Sequence, residues 1–239
     1  MHLDDLVQRA RSLPKGQTRA VLGITGSPGS GKTTVAEVLV QQLLDKPPAG
    51  VSNPWVVHVP MDGYHLADIE LTRLGRLDRK GAPDTFDAAG YVSLVERLRR
   101  DAEDVIYAPA FDRTIEQPIA GSIPVPRSAR LVITEGNYLL LDDGDWRRIR
   151  AHLDEVWYCD LDSTERLRRL VERHTRFGKP HDAAVKWVNN VDERNARVIE
   201  LTLNRADLRL PASLLTTIGA DAHHQAKRLT MRPQPPSVG

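Results

Sequence analysis

Short apolar runs alternate with stretches of helical periodicity along most of the chain. The runs that predict strands are 20–25, 55–61, 105–111, 131–134 and 155–159, with a shorter one at 208–210. The stretches with helical spacing are 3–13, about 33–44, 91–100, 163–176 and about 182–204. Strands that alternate with helices favour an α/β fold, in which helices cover both faces of a parallel sheet. We expect five strands in this sheet, and a loop or hairpin at the proline-punctuated residues 112–126.

A glycine-rich segment follows the first apolar run. Residues 26–33 read Gly-Ser-Pro-Gly-Ser-Gly-Lys-Thr and match the phosphate-binding pattern G-x-x-x-x-G-K-[ST], here between a predicted strand and a predicted helix. Its backbone N–H groups can face one anion at a helix N-terminus. Lys32 is then expected at the β- and γ-phosphates of a nucleotide, and the Thr33 hydroxyl on Mg²⁺. The candidate nucleotide-binding residues are Gly26, Ser27, Gly29, Ser30, Gly31, Lys32, Thr33 and Thr34.

Two carboxylates follow predicted strands and should lie near this loop. Ligands of open parallel sheets bind outside the carboxyl ends of the strands, which is where Asp62 and Glu135 fall. Asp62 is placed to accept the proton of an attacking hydroxyl, and the alternative is an aspartate that caps a helix. Glu135 is placed to hold Mg²⁺ directly or through water, and the alternative is a solvated strand end.

An arginine-rich helix is predicted over 163–176. Its residues Arg166, Arg169, Arg173 and Arg176 share one helical face. Such a stripe can neutralise the charge on a phosphoryl group during transfer. The alternative is an ordinary solvated face whose arginines pair with Glu165 and Glu172.

Composition and charge argue against several other classes of protein. The formal net charge of +1 gives no strong field for nucleic acid or a membrane surface. Cys159 is the single cysteine, so no disulfide can form within the chain. No run approaches the roughly 18 apolar residues of a membrane span. The N-terminus lacks the basic-then-apolar order of a signal peptide, so a cytoplasmic location is expected.

Together these residues resemble the phosphoribulokinase, uridine kinase and pantothenate kinase superfamily of P-loop kinases. The matching segments, in family order, are 26–33, 61–65, 79–87, 108–112, 132–138 and the arginine-rich helix. Within the superfamily the chain is most similar to the bacterial "nucleoside/nucleotide kinase family", or fructokinase-like, branch, of which 74–81 is typical. Uridine kinases carry a His-Ser-Arg-like element where residues 112–116 here read Asp-Arg-Thr-Ile-Glu, which argues against recognition of a uracil nucleoside.

The resemblance implies a P-loop kinase fold with a small helical lid, ATP and Mg²⁺ as cofactors, and a small-molecule hydroxyl acceptor. The implied catalytic residues are Asp62, Lys32, Arg169 and Arg173; the implied acceptor-binding residues are Tyr64, His65 and Asp84; and the implied metal ligands are Thr33 and Glu135. Superfamily members often form dimers, so a homodimer is compatible with the resemblance.

The predicted organisation follows from these assignments. It consists of an N-terminal helix in 1–18, a kinase core in 19–162 with an acceptor-binding insert at about 62–126, a helical lid in 163–195, a C-terminal part of the core in 196–215, and a partly disordered tail in 216–239.

The predicted function is ATP-dependent transfer of a γ-phosphoryl group to a hydroxyl of a small metabolite, whether a nucleoside, a sugar or a pantothenate-like compound. The alternative is a nucleotide-dependent switch acting on a protein partner. Against it, the chain has no Asn-Lys-x-Asp guanine-reading motif, and the acceptor-like segments 62–65 and 83–87 would have no task. A nucleoside monophosphate kinase is a further alternative, for which Arg73, Arg76 and Arg79 could supply the extra phosphate clamp.

Overall fold

Parallel strands form the centre of the molecule. The computed structural model describes residues 1–16, 18–51 and 53–230. The strands are β1 (Ala20–Thr25), β2 (Val56–Pro60), β3 (Val105–Asp112), β4 (Gln117–Pro126), β5 (Leu131–Glu135), β6 (Glu155–Asp160) and β7 (Leu208–Pro211). The larger sheet has the order β2-β5-β1-β6-β7, and all its neighbouring pairs are parallel. The predicted five-stranded parallel sheet is therefore confirmed.

Helices cover both faces of this sheet. They are α1 (Leu3–Arg11), α2 (Lys32–Asp45), α3 (Asp68–Arg73), α4 (Ala88–Arg100), α5 (Ser163–Arg176), α6 (His181–Trp187), α7 (Glu193–Glu200) and α8 (Ala212–Thr230). One core joins α1, α2 and α8 to Leu22, and a second joins α4 and α7 to Val21. The two residues serve different cores because successive strand side chains point to opposite faces. No helix in the described part of the chain is long and apolar enough to cross a membrane.

The strand register brings the predicted site residues to one edge of the sheet. Glu135, the last residue of β5, pairs with Ile24 of β1 on one side and with Pro60 of β2 on the other. The glycine-rich loop follows β1 directly, and Asp62 lies two positions after β2. The carboxyl ends of parallel strands therefore gather the loop and both carboxylates, as the order of the elements predicts.

β3 and β4 form an antiparallel hairpin separate from the central sheet. The second strand forms although it contains Pro118, Pro124 and Pro126. Both strands of a two-stranded ribbon are edges, so prolines can occupy the positions whose N–H groups would face solvent. The tip of this hairpin, residues 113–116, lies close to the site described below.

Two C-terminal elements differ from the predicted organisation. The helix predicted for 182–204 is divided into α6, a π-helical turn at Val188–Asp192, and α7, and π turns are frequent near functional sites. The predicted tail from 216 begins inside α8, which is helical through Thr230, and Leu214, Leu215 and Ile218 are buried in the first part of this helix. Residues 231–239, the remainder of that tail, lie outside the described residues.

Candidate active site

The glycine-rich loop makes a tight turn between β1 and α2. Gly26 and Gly29 have φ values of 145° and 81°, which L side chains rarely adopt. A Cβ on Gly26 would lie 2.6 Å from the carbonyl oxygen of Cys159, and one on Gly29 would lie 2.8 Å from that of Arg166. The loop therefore depends on glycine both for its backbone conformation and for its close packing against β6 and α5.

The polar groups of the loop fit a phosphate. The ammonium group of Lys32 is buried and donates to the carbonyl oxygen of Ser27 at 3.2 Å. Burial lowers the pKa of Lys32. Among the described residues the buried Ser30 Oγ has no hydrogen-bond partner. A buried cation and an orphaned hydroxyl beside the N-terminus of α2 are the donors that a phosphate group would satisfy.

The Thr33 hydroxyl and the Glu135 carboxylate offer hard oxygen ligands. Thr33 Oγ1 donates to Glu135 Oε1 at 2.9 Å. Glu135 is only 4 % exposed, and burial together with the neighbouring Asp62 raises its pKa to about 7. A hydroxyl and a carboxylate next to a phosphate site are the ligands that Mg²⁺ prefers, so these residues fit the predicted metal site.

Asp62 stands in a 3₁₀ turn (Met61–Tyr64) after β2. Its side chain is 27 % exposed, and its Oδ2 accepts a hydrogen bond from Nη2 of Arg113 at 3.0 Å. The carboxylate does not cap the turn, so the alternative of a capping aspartate is not what the structure shows. Burial alone would raise the pKa of Asp62, but nearby positive charges outweigh it and lower the pKa: those of Arg113, Arg173 and Lys32, and that of His65 when its ring is protonated.

A cavity of about 430 Å³ connects these groups to an aromatic region. We call Lys32, Thr33 and Glu135 its phosphate end, and His65, Phe86, Phe111, Phe177 and Trp187 its aromatic end. Asp62 lines the same cavity as the residues of both ends. Residues 163–195, which we call the lid segment, also line the cavity through Arg173, His174, Phe177, Lys179, Trp187, Asp192 and Asn195.

His65 links Asp62 to the aromatic end. Its ring centroid lies 4.0 Å from that of Phe86 and 4.8 Å from that of Phe111. Its Nδ1 lies 2.8 Å from the carbonyl oxygen of Asp62, which can only accept, so Nδ1 carries the proton. Burial lowers the pKa of His65 and favours the neutral ring. The other ring nitrogen, Nε2, is then a hydrogen-bond acceptor.

Two predicted acceptor-binding residues lie outside the cavity lining. The ring of Tyr64 packs edge-on against Tyr91 at 5.4 Å, and burial raises its pKa to about 12. The carboxylate of Asp84 is 46 % exposed and pairs with Arg79 at 2.9 Å and Arg76 at 3.4 Å. The role that the resemblance implies for these two residues stays a prediction.

The arginines of α5 divide into two groups. Arg166 is buried and donates to the carbonyl oxygen of Pro28 at 3.1 Å and to Glu193 at 2.6 Å, so it braces the phosphate loop against α7. Arg168 pairs with Glu165 and Glu172 on the exposed face. Arg168 is not one of the four arginines of the predicted stripe, so its pairs do not decide between the stripe and the solvated-face alternative.

Arg169 and Arg173 of α5 also lie close to the predicted phosphate site. Arg169 Nη1 is 3.6 Å from the position that a Cβ would take on Gly31, and Arg169 Nε pairs with Glu165 at 2.7 Å. Arg173 lines the cavity, and its charge acts on both Asp62 and Lys32. These positions agree with the predicted approach of both side chains to the phosphates, which stays a prediction.

Several lining residues lie in or beside segments that the sequence singles out, but no pattern in the sequence predicts their contacts. Arg113 reaches Asp62 from the hairpin tip, and Lys80 donates to Asp68 at 2.6 Å. His174 of α5 pairs with the buried Asp192 of the π turn at 2.8 Å. Arg113 lies in the segment 112–116, whose sequence differs from that of uridine kinases. The difference draws attention to this position but does not predict its contact with Asp62.

The fold and the site define a P-loop kinase, a phosphotransferase with an alcohol group as acceptor. The family model described as "Phosphoribulokinase / Uridine kinase family" matches residues 21–217. The chain therefore belongs to that family, and the predicted superfamily is confirmed.

Individual relatives agree with this assignment. The chain is 31% identical over 221 residues to a "Putative uridine kinase" of Schizosaccharomyces pombe, covering 90% of this chain and 92% of the relative. It is 30% identical to a "Pantothenate kinase" of Paenarthrobacter aurescens, covering 90% of this chain and 71% of that one. A solved structure titled "putative fructose transport system kinase", from Silicibacter sp. TM1040, superposes with a TM-score of 0.78 at 37% identity, covering 88% of this chain and 100% of that one.

Proposed function

We propose that the protein is a MgATP-dependent kinase that phosphorylates a hydroxyl of a small polyhydroxylated metabolite, with Asp62 as the catalytic base. The observation that carries this proposal is a single cavity that holds the Asp62 carboxylate, the buried Lys32 ammonium and the Thr33–Glu135 oxygen pair. A general base beside a phosphate site is what hydroxyl phosphorylation requires.

Each group has one role in the proposed reaction. An Asp62 carboxylate oxygen accepts the proton of the acceptor hydroxyl as the new O–P bond forms and the bond from the γ-phosphorus to the bridging oxygen of ADP breaks. The lowered pKa of Asp62 keeps the carboxylate ionised and ready to accept that proton. Lys32 and the loop amides hold the β- and γ-phosphates. Mg²⁺, held by Thr33 with Glu135, supplies charge neutralisation when bound.

The lid segment completes the site. Arg173 lines the cavity near both Asp62 and Lys32, where negative charge would spread during transfer. Phe177 and Trp187 of the same segment bring apolar surface to the cavity. Apolar walls around the reacting groups exclude water, which would otherwise compete with the acceptor for the phosphoryl group.

The aromatic end supports a polyhydroxylated acceptor. Two of its charged neighbours are paired within the protein: Lys80 with Asp68, and His174 with Asp192. Paired groups of this kind offer hydrogen-bond donors and acceptors without a strong net charge, and aromatic rings offer apolar faces. Relatives named as a putative uridine kinase and a pantothenate kinase, and a solved structure titled as a putative fructose transport system kinase, support an acceptor with hydroxyl groups.

The direct test is ADP release by the purified protein with MgATP and a panel of sugars, polyols, nucleosides and pantothenate. We expect one chemical group of the panel to raise ADP release well above the rate with ATP alone. A protein that hydrolyses ATP at an unchanged rate with every compound, and accelerates only with a protein partner, would contradict the proposal and favour a nucleotide switch.

A further inference from the structure

We propose that Arg113 is a positioning residue that neutralises and orients the Asp62 carboxylate, so that an ionised base and the γ-phosphate of ATP can share one cavity. The inference deepens the proposed function and rests on it, because it takes Asp62 as the base. Neither the resemblance nor the family assignment gives Arg113 a role.

The contact between these two residues is direct. Arg113 Nη2 donates to Asp62 Oδ2 at 3.0 Å across 51 positions of sequence. Within the described residues, Arg113 is the one side chain that donates a hydrogen bond to this carboxylate. A charge-assisted hydrogen bond fixes the direction of one carboxylate oxygen and leaves the other, Oδ1, for the acceptor hydroxyl.

The charges around Asp62 explain why a dedicated cation is needed. Glu135 is a second acidic group in the same lining, and the triphosphate would add several negative charges. Lys32 and Arg173 are the cations assigned to the phosphates. An uncompensated carboxylate would therefore repel the γ-phosphate strongly, because repulsion is weakly screened in a partly buried site.

The hairpin holds Arg113 in place. Its guanidinium lies over the ring of Phe111 at 5.7 Å from the centroid, and the Lys80 ammonium lies 5.3 Å from the same centroid. The carboxylate of Asp112 accepts hydrogen bonds from both the backbone N–H and the hydroxyl of Thr114, which folds the hairpin tip. The hairpin that carries Arg113 therefore also contributes Phe111 to the aromatic end.

The test compares the binding of two nucleotides by calorimetry, and it needs no acceptor. The probes are the Mg²⁺ complexes of ADP and of the non-hydrolysable ATP analogue AMPPNP. We expect Arg113→Gln to weaken MgAMPPNP about tenfold while MgADP changes by less than about twofold, since only the former carries a γ-phosphate. Arg113→Lys retains the charge and should restore most of the affinity.

A double variant identifies Asp62 as the reason for the effect. Adding Asp62→Asn to Arg113→Gln removes the uncompensated carboxylate and should return MgAMPPNP affinity to within about twofold of wild type. The matched control is Arg127→Gln, which removes an arginine from an exposed pair with Asp104 outside the cavity lining and should change neither affinity. Thermal unfolding of each variant checks that it is folded.

The outcomes separate this inference from the proposed function. Equal weakening of both nucleotides, unchanged affinities, or no recovery in the double variant would overturn the role of Arg113. The nucleotide affinities could all be as expected while no compound of the acceptor panel stimulates ADP release. That result would support the pairing of Arg113 with Asp62 and contradict the kinase proposal. Acceptor-dependent turnover together with unchanged affinities in Arg113→Gln would support the kinase proposal and contradict the role of Arg113.

Discussion

The two ends of the cavity are built in different ways. The phosphate end depends mainly on one continuous loop at 26–33, with its tight glycine packing and the start of α2, and takes only Glu135 from a distant strand. The aromatic end depends on side chains from four separated segments, namely the turn after β2, residues 77–86, the hairpin and the lid segment. Under the proposed function, the fold would set the phosphoryl chemistry, and the segments attached to the fold would select the acceptor.

At the phosphate end, the largest effect is expected for Lys32→Met. We expect the affinity for MgATP to fall by at least about 100-fold, because the variant leaves the phosphates without their buried cation. Lys46→Met, at the exposed end of α2, is the matched control and should bind normally. Calorimetry measures both, and near-normal binding by Lys32→Met would remove this lysine from the phosphate site.

Gly29→Ala tests whether the backbone itself is essential at this end. A Cβ there meets the Arg166 carbonyl at 2.8 Å and the Leu170 side chain at 2.8 Å, so we expect a loss of about 2–3 kcal/mol in the free energy of unfolding and weakened nucleotide binding. Gly75→Ala has a similar positive φ of 65° but nothing within 4 Å, so it should cost only about 1 kcal/mol. Urea unfolding compares them, and equal losses would show that packing is irrelevant.

At the aromatic end, His65→Ala should act on the acceptor alone. We expect the KM for the acceptor found in the panel to rise about tenfold, because the variant loses an acceptor nitrogen and an aromatic face. The affinity for MgATP should change little. Steady-state kinetics at saturating MgATP gives the answer, and an unchanged acceptor KM would place the acceptor away from His65.

The smallest effect is expected for Asp84→Asn. Its carboxylate is exposed and paired with two arginines, and exposed pairs contribute little, so we expect less than about a twofold change in acceptor KM. The resemblance to uridine kinases implies the opposite. A tenfold rise would show that Asp84 leaves its arginines to bind the acceptor.

The same contrast explains how much the sequence could predict. Glycine spacing and apolar runs act locally, so the loop at 26–33, the sheet, and the placement of Asp62 and Glu135 at one edge could all be predicted. The contact between Asp62 and Arg113 depends on how a separate hairpin packs, which no local pattern encodes. The helix α8 could not be predicted for a related reason: its buried face is defined by packing against the central sheet.

The central claim is that both ends form one active site joined at Asp62. Its most direct test is transfer of label from γ-³²P-ATP to the acceptor by wild type and by Asp62→Asn, each saturated with MgATP. The account predicts labelled acceptor with wild type and a rate about 10³-fold lower with the variant, which should still bind MgATP normally. Transfer by Asp62→Asn at the wild-type rate would contradict it.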